Sequence, residues 1–357
     1  AHATLEPQNS IVSYQDDKVE VWSPCQSPSV IQDEVAAVTG VSSSDVLVHT
    51  TLSGGAFGRR TYPEAAVEAA RISKKLKRPV QVVWSRENDM TAGRYRPAGA
   101  SHIEGSVKSG KLHSLRIHNL VQVIIPDNVM FVRGGLPGAL PNYAKNINVA
   151  TIGAATRTNT QIDIPALEGI AETPYQIPNF RAEFTPVFTD IPVAFWRAVG
   201  HSHNGFIMES AIDELAALAD VDPYQFRRLL LKNGTREMRV LDAVAKLSSW
   251  SSPAQDGFAK GIARHTSFGS EVAQVAEAGI VGGRIKVRKV WAVVDCGIAI
   301  NPDVVKAQIE SSIIFGLGAA LDQQINIRNG VPQQKNYDTF PMTRMFESPE
   351  IEVEILD

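Results

Sequence analysis

Apolar residues near the start of the chain recur with two different periods, which predict helices that alternate with strands. The first helical stretch opens at Ser27-Pro28, since proline suits a first turn, and closes at Gly40. A second helix begins at Pro63 and ends in a basic cluster at 74–78, where cations favour the negative end of the helix dipole. Short apolar runs at 46–48 and 80–85 predict strands. This rhythm is typical of a mixed α/β layer.

The rest of the chain continues the mixture with less regular stretches. Residues 112–125 alternate as in a hairpin, and a stretch rich in glycine and proline follows at 134–138. A strand is predicted over 285–294 and another at the end of the chain. The polar segment 248–257 predicts a boundary between one domain over residues 1–250 and the beginning of a second over 251–357. Further helices are predicted from Phe206, from Asp222-Pro223 to Asn233-Gly234, and from Asn301-Pro302.

Composition excludes several classes of partner. The chain has 357 residues, 44% hydrophobic and 20% charged, and its net charge of −3 favours neither nucleic acid nor an anionic membrane. The longest apolar stretch, Ile313 to Leu321, contains two glycines and is too short to span a bilayer, so we predict no transmembrane segment. Two cysteines, Cys25 and Cys296, are too few for a disulfide framework or a cysteine-rich zinc site.

Three features carry candidate chemistry. The loop Ser53 to Arg60 (SGGAFGRR) joins a strand to a helix, and its glycines let backbone N–H groups converge on an anion or an oxo ligand. It lacks the Lys-Ser/Thr pair of a Walker loop, and a tight connection is the competing interpretation. Gln26 can donate a hydrogen bond without bringing charge, or can belong to the first turn of the next helix. Arg197 lies before Gly200 and either holds a phosphate or pterin or stacks on Trp196.

Two groups of titratable residues give weaker indications. His201-Ser202-His203 offers two imidazoles, but without a nearby third ligand we expect helix capping or surface exposure rather than a metal site. Glu209, Asp213 and Glu214 lie on a predicted helix, where we expect a solvated face rather than an acid/base pair. No single motif among these defines a function.

Eight segments, taken in order, resemble the molybdenum-binding large subunit of the xanthine oxidase family. Within that family they are most similar to the isoquinoline 1-oxidoreductase and periplasmic aldehyde dehydrogenase branch. The implied fold class is α+β, with the mixed α/β layers of the molybdopterin-binding domain. The segments are AHATLEP at 1–7, the Gln26 segment, GGAFGRR at 54–60, SRENDM at 85–90, YQIPNFR at 175–181, AFWRAVGHSHNGFIMESAIDELA at 194–216, SFGSEVAQVAE at 267–277 and VVDCGIAINPDVVKAQIESSIIFGLGAAL at 293–321.

The resemblance implies a molybdenum cofactor, molybdopterin cytosine dinucleotide, that inserts water-derived oxygen into an electron-poor carbon. The dithiolene of the pterin holds the metal, so the protein supplies no ligand and instead orients the cofactor. Gln26 would bond the oxo ligand, the N–H groups around Phe57 and Gly58 would support the metal's oxygen ligands, and Arg197 would lie beside the pterin. The other implied cofactor contacts are Gly54, Gly55 and Ala56, then Ser267, Phe268, Gly269, Ser270 and Gln274, and finally Gln308, Ser311 and Ser312.

Four positions depart from the pattern of the family. Ala56 stands where the loop usually has a third glycine, and Ser311 and Ser312 replace small, glycine-type residues near the pterin. Thr61 stands where the purine-oxidising branch has a carboxylate, which argues against xanthine as substrate. An aldehyde or an aromatic N-heterocycle is the expected substrate, with a slight preference for aldehydes.

The family's general base, a glutamate in a Gly-Glu-Pro-type segment, has no counterpart in these 357 residues. We therefore expect the chain to be a central piece of a larger subunit and to be inactive alone. Two cysteines cannot ligate iron–sulfur clusters, so we expect [2Fe-2S] clusters on a small partner subunit, with a cytochrome c as a further electron acceptor. The remaining parts of the same large subunit are further expected partners. The branch implies the periplasm, and otherwise the cytoplasm.

A second hypothesis, from another functional class, is a noncatalytic binding or assembly module that keeps the fold without the cofactor. The departures at Ala56, Ser311 and Ser312, together with the missing glutamate, favour this module. The retained Gln26, Phe57, Gly58 and Arg197 favour the enzyme.

Overall fold

The computed structural model describes residues 1–125 and 163–356. The stretch at 134–138 and the last residue, Asp357, lie outside the described residues. Within them the molecule consists of three main β-sheets with helices packed on their faces, which confirms the predicted α+β class.

The first sheet lies in the N-terminal part and has helices on one face. Its elements are β1 (Asn9–Gln15), β2 (Lys18–Ser23), α1 (Pro28–Thr39), β3 (Val46–Thr50), α2 (Glu64–Leu76) and β4 (Val80–Val83). The strand order is β3-β2-β1-β4, with β2 and β3 parallel and the other pairs antiparallel. Alternate residues of the strands, such as Val12 and Val21, pack against Ile31 and Ala69 of the helices. The predicted strand–helix–strand rhythm is therefore present.

The second sheet has three strands and carries the longest helix of the central region. A short helix α3 (Arg86–Thr91) precedes it, and its elements are β5 (Gly99–Lys108), β6 (Lys111–Gln122), β7 (Asn179–Val187) and α4 (His201–Ala219). The β5–β6 pair is antiparallel, as the hairpin-like alternation predicts, whereas β7 is parallel to β6. A Cβ added at Gly105 would lie 2.7 Å from Leu215 Cδ2, so glycine lets α4 approach β5 closely.

The third sheet lies between two layers of helices. The further elements are α5 (Pro223–Leu230), α6 (Arg236–Leu247), β8 (Phe258–Ser267), β9 (Ser270–Val281), β10 (Arg284–Asp295), α7 (Pro302–Leu321), the hairpin β11 (Ile327–Arg328) with β12 (Val331–Pro332), and β13 (Glu350–Ile355). The strand order is β13-β10-β9-β8, and β13 is parallel to β10. Val275 and Val293 face α4 and α6, whereas Ala292 faces Ile313 of α7.

Helix boundaries follow the local signals, with one exception. The side chains of Asp222 and Asn301 accept hydrogen bonds from backbone N–H groups three residues on, 3.0 and 3.2 Å away, and a proline follows each of them. Helix α5 ends at Leu230 rather than at the predicted Asn233-Gly234. Leu231 is extended and buried in the core, so its packing ends the helix before the turn residues are reached.

The largest hydrophobic cluster joins residues from both sides of position 250. It unites Leu241 of α6 with Ile262 and Val275 of the third sheet. The predicted division into residues 1–250 and 251–357 stays a prediction.

Helix α7 is the described helix that is long and apolar enough to cross a membrane, by length and composition alone. It has 20 residues and a mean hydropathy of 1.4. It includes the apolar stretch 313–321, but Asp303, Lys306 and Glu310 lie in its first half. Ile313 packs on the third sheet, and the absence of a transmembrane segment stays a prediction.

A buried ion pair links α4, α5 and β8 beneath the third sheet. The Glu209 carboxylate accepts a hydrogen bond from Arg227 Nε at 2.8 Å, one from the Tyr175 hydroxyl at 2.8 Å and one from the backbone N–H of Arg264 at 3.0 Å. Arg227 is fully buried, and its pKa is raised because the opposite charges of Glu209 and Asp213 outweigh desolvation. Charges removed from water need such partners.

The expected solvated helix face is therefore wrong for one of its three carboxylates. Glu209 is only 7% exposed, because α5 and β8 cover that side of α4. Asp213 also bonds Arg227, but its side chain is 47% exposed, and Glu214 is exposed. The sequence pattern of α4 alone does not show which elements cover it.

We expect Glu209→Ala to lower the free energy of unfolding by about 3 kcal/mol or more, because it leaves the Arg227 charge buried with its main partner removed. The matched variant Asp213→Ala removes the exposed partner and is expected to cost about 1 kcal/mol or less. Urea unfolding of both variants measures the difference. Equal losses of unfolding free energy in the two variants would show that burial does not determine how much each ion pair of Arg227 contributes.

Candidate functional site

The loop between β3 and α2 adopts a backbone that most residues avoid. Gly55, Phe57 and Gly58 have positive φ angles of 98°, 55° and 96°. A Cβ at Gly58 would lie 2.2 Å from the carbonyl oxygen of Phe195, where no side chain fits. Glycine is therefore required at position 58 both for the φ angle and for the close approach. The loop therefore has a specific conformation that a simple connection between β3 and α2 would not need.

A buried arginine supports this loop from below. Arg60 Nε donates to the carbonyl of Gly55 at 2.7 Å, and Arg60 Nη2 bonds the carboxylate of Glu6 at 3.0 Å. Glu6 in turn accepts a hydrogen bond from Gly54 N–H at 2.6 Å. The Thr61 hydroxyl donates to the carbonyl of Gly58. In the described structure the N–H group of Gly54 and the carbonyl of Gly55 therefore form hydrogen bonds within the protein.

Gln26 lies directly against the same loop. Its Oε1 accepts a hydrogen bond from Gly58 N–H at 3.0 Å, and its backbone N–H donates to the carbonyl of Arg60 at 2.9 Å. The side chain is exposed, and its Nε2 has no partner among residues 1–125 and 163–356. Gln26 therefore presents a neutral N–H donor to the space beside the loop. Since Gly58 N–H is used by Gln26, the backbone donor left free in this pair is that of Phe57.

Arg197 joins the loop to α7. Its backbone N–H donates to the carbonyl of Phe57 at 2.8 Å, and its own φ of 46° is positive. The guanidinium lies 3.3 Å from both the Ser311 hydroxyl and the carbonyl of Gln308. Its Cζ is 5.5 and 5.4 Å from the ring centroids of Phe57 and Phe315. The structure thus brings six predicted site residues into one cluster: Gln26, Phe57, Gly58, Arg197, Gln308 and Ser311.

The donors of this cluster fit an anionic cofactor. Arg197 meets only neutral acceptors and aromatic faces in the described part of the chain, and burial lowers its pKa. A desolvated guanidinium without a carboxylate suits a phosphate or another delocalised anion. The described residues form no group of three or more His, Cys, Asp or Glu that could hold a metal. This donor set therefore fits a metal that its own organic ligand carries.

The remaining predicted cofactor residues form other contacts in the described structure. The turn between β8 and β9 contains Ser267, Phe268, Gly269 and Ser270, with positive φ at Phe268 and Gly269, and the Phe268 ring is 71% exposed. Gln274 lies on the face of β9 that α7 covers. The Ser312 hydroxyl bonds the carbonyl of Ile309 within α7, and Ala56 accepts a hydrogen bond from Arg59 N–H. The assignment of these residues to the cofactor stays a prediction.

The histidines at the start of α4 are not on the surface. His201 is buried and its Nδ1 lies 2.9 Å from His265 Nε2, with the Phe268 ring at 5.3 Å. Both ring nitrogens of His203 are buried and have no partner in the described structure. Burial and the charge of Arg96 lower the pKa of His203 to about 4. The expected surface exposure is therefore wrong for both histidines, and at His201 the reason is that β8 brings His265 against it. Neither histidine caps the helix with its side chain.

Sequence reasoning missed three residues that shape the site. Glu6 and Arg60 position the loop, and Phe315 supplies a ring 4.5 Å from that of Phe57 and 4.9 Å from that of Trp196. Glu6 and Arg60 are 54 positions apart, and no local pattern pairs them. Phe315 stands in an apolar helix where any large residue looks like core.

Two family matches identify the class of protein. The Molybdopterin cofactor-binding domain matches residues 1–124 and 144–231, and a second Molybdopterin cofactor-binding domain matches residues 210–349. The chain therefore belongs to the molybdopterin cofactor-binding domains of xanthine oxidase family large subunits.

Individual proteins with sequences or folds similar to this chain support the same family. The chain is 31% identical to isoquinoline 1-oxidoreductase subunit beta of Brevundimonas diminuta, over 99% of this chain and 43% of that protein. It is 25% identical to a membrane-bound aldehyde dehydrogenase [pyrroloquinoline-quinone] of Gluconacetobacter polyoxogenes, over 99% of this chain and 47% of that protein. The chain thus spans less than half the length of these curated relatives. Its fold matches quinoline 2-oxidoreductase from Pseudomonas putida 86 with a TM-score of 0.80 at 12% identity, over 100% of this chain and 68% of that one.

We expect Gly58→Ala to destabilise the protein more than Gly234→Ala does. Both glycines have positive φ, 96° and 77°, so both variants carry a left-handed penalty of about 1–2 kcal/mol. Only at position 58 does the added Cβ also collide with the Phe195 carbonyl, which adds about 1–3 kcal/mol. Urea unfolding measures the two losses. If they are equal, the close approach of the loop to Phe195 has no energetic weight.

We expect acid to destabilise the protein partly through His203. Burial lowers its pKa to about 4 in the folded protein, against about 6.5 for a histidine in an unfolded chain, so the unfolded chain binds more protons between these values and stability falls as pH drops through that window. His203→Leu should reduce the fall in melting temperature between pH 7 and pH 5, about the range of that window. His102→Leu alters an exposed histidine on β5 and serves as the control, with the fall unchanged. Identical pH profiles for wild type and His203→Leu would refute this assignment.

Proposed function

We propose that this chain forms the cofactor-binding part of a molybdenum hydroxylase that oxidises an aldehyde or an aromatic N-heterocycle with water-derived oxygen. The observation that carries the proposal is the contact of Gln26, Gly58 and Arg197 at one place, on a backbone that requires glycine. The names of the relatives, an isoquinoline oxidoreductase and an aldehyde dehydrogenase, support both substrate classes.

The residues of the cluster have separate tasks in this proposal. The bound cofactor supplies oxygen transfer and takes up two electrons. Gln26 Nε2 and Phe57 N–H would donate hydrogen bonds to oxygen ligands, and these neutral dipoles are fixed before the reaction begins. The Arg197 guanidinium would bind the pterin end of the cofactor, held in place by Ser311 and the carbonyl of Gln308. Thr61 bonds the loop itself and brings no carboxylate, which disfavours a purine substrate.

The finer assignments belong to the same proposal. The cofactor would be the cytosine dinucleotide form, whose tail would follow the turn at 267–270 and α7. Electrons would pass to [2Fe-2S] clusters on a small partner subunit and from there to a cytochrome c. Likeness to the periplasmic branch supports a periplasmic location. The remaining parts of the large subunit would supply the general base.

Cofactor content of the complete subunit tests the proposal. We expect about one molybdenum per chain in the purified wild type, together with pterin fluorescence after denaturation. Arg197→Gln should lose most of both signals, because the charge that meets the anionic cofactor is removed. Arg328→Gln alters an exposed arginine on β11 and should keep both signals.

Substoichiometric molybdenum without pterin in the wild type would refute the enzyme and favour the noncatalytic module. Full cofactor content in Arg197→Gln would refute the role of Arg197 alone.

A further inference from the structure

A cavity of about 340 Å³ lies next to Trp196, between the second sheet and the end of α7. Its volume is in the range of sites for small organic molecules. Most of the wall is apolar, and one cation lines it. The residues that matter to the argument are Arg96, Ile191, Trp196, Ala319, Ile327 and Phe340.

The cation, Arg96, has no carboxylate partner in the described part of the chain. Its Cζ lies 5.0 Å from the centroid of the Trp196 ring, and desolvation lowers its pKa. Arg94, two positions earlier, differs in this respect, since its Nε bonds Glu64 at 3.3 Å. A desolvated guanidinium without a counterion attracts an anion.

The other polar groups around the cavity are already engaged. Gln122 accepts a hydrogen bond from Ala98 N–H at 2.9 Å, and its Nε2 donates to Thr189 at 2.5 Å. The Tyr95 hydroxyl donates to a backbone carbonyl at 2.8 Å. Gln323 Nε2 lies 3.2 Å from the sulfur of a methionine. The amino group of Ala1 also lines the cavity, and burial lowers its pKa to about 5. Among the side chains of the described wall residues, the one left without a hydrogen-bond partner is therefore that of Arg96.

We propose that this cavity binds a small molecule that carries one carboxylate on a planar apolar body. The carboxylate would bond the fork of the Arg96 guanidinium, which matches two carboxylate oxygens. The apolar body would lie against Trp196, Ile327 and Phe340. The site needs neither molybdenum nor pterin, so it goes beyond the proposed function and is tested apart from it.

Fluorine NMR of para-fluorobenzoate with the complete subunit, expressed without molybdenum, tests the site. We expect the resonance of the benzoate to broaden and saturate, while the neutral para-fluorobenzamide binds at least tenfold more weakly. Equal binding of the two compounds, or no binding at millimolar concentration, would overturn the proposal. The cofactor-free protein makes this outcome independent of whether the chain proves to be a molybdenum enzyme.

Three variants locate the binding. Arg96→Gln should weaken benzoate binding about tenfold or more, because it removes the charge. Ala319→Leu fills the cavity from α7 without changing charge and should weaken binding similarly. Arg284→Gln alters an exposed arginine at the β9–β10 turn and should leave binding unchanged. Binding that survives both Arg96→Gln and Ala319→Leu, or that falls in Arg284→Gln as well, refutes this location.

Discussion

The approach of Gly58 to the carbonyl of Phe195 is the constraint on which the candidate site depends. A Cβ at position 58 would lie 2.2 Å from that oxygen. Because glycine has none, the loop after β3 can pack directly against the segment before α4. At that distance the carbonyl of Phe57 accepts the backbone N–H of Arg197 at 2.8 Å. Gln26 contacts this loop at Gly58, and α7 contacts Arg197 in the segment before α4. One glycine thus joins the first sheet to the helical layer of the third sheet.

The site is rich in donors because its acceptors are consumed internally. The Gln26 side-chain oxygen accepts a hydrogen bond from Gly58, and its N–H₂ group has no partner among the described residues, while the Glu6 carboxylate bonds Arg60 and Gly54. Arg197 is left with neutral acceptors. Such an arrangement stabilises negative charge on a ligand without a protein carboxylate competing for it.

Local signals in the sequence were sufficient where the structure depends on local contacts. The caps at Asp222 and Asn301 confirm predicted helix starts, and the glycine-rich loop lies between a strand and a helix as expected. Gln26 and Arg197 both contact the loop at Phe57 and Gly58, although they are 171 positions apart, a distance that periodicity alone does not bridge. Their role at the cofactor stays a prediction.

The sequence failed where a distant element decides the environment. The sequence predicts a solvated carboxylate at Glu209, but α5 brings Arg227 against it. It predicts an exposed side chain at His201, but β8 brings His265 within 2.9 Å. Both residues lie in α4, whose own sequence does not show which elements cover it. Burial there is a property of the packed layers, which propensity and periodicity do not contain.

The neighbouring residues Trp196 and Arg197 both lie against Phe315 but differ in their other partners. Trp196 also contacts Arg96, while Arg197 contacts Phe57 and Ser311. Both arginines lack a carboxylate among the described residues, whereas Arg60 and Arg227 have one. Removing a charge from water without a counterion is unfavourable. A bound anion would supply the missing opposite charge at such a side chain.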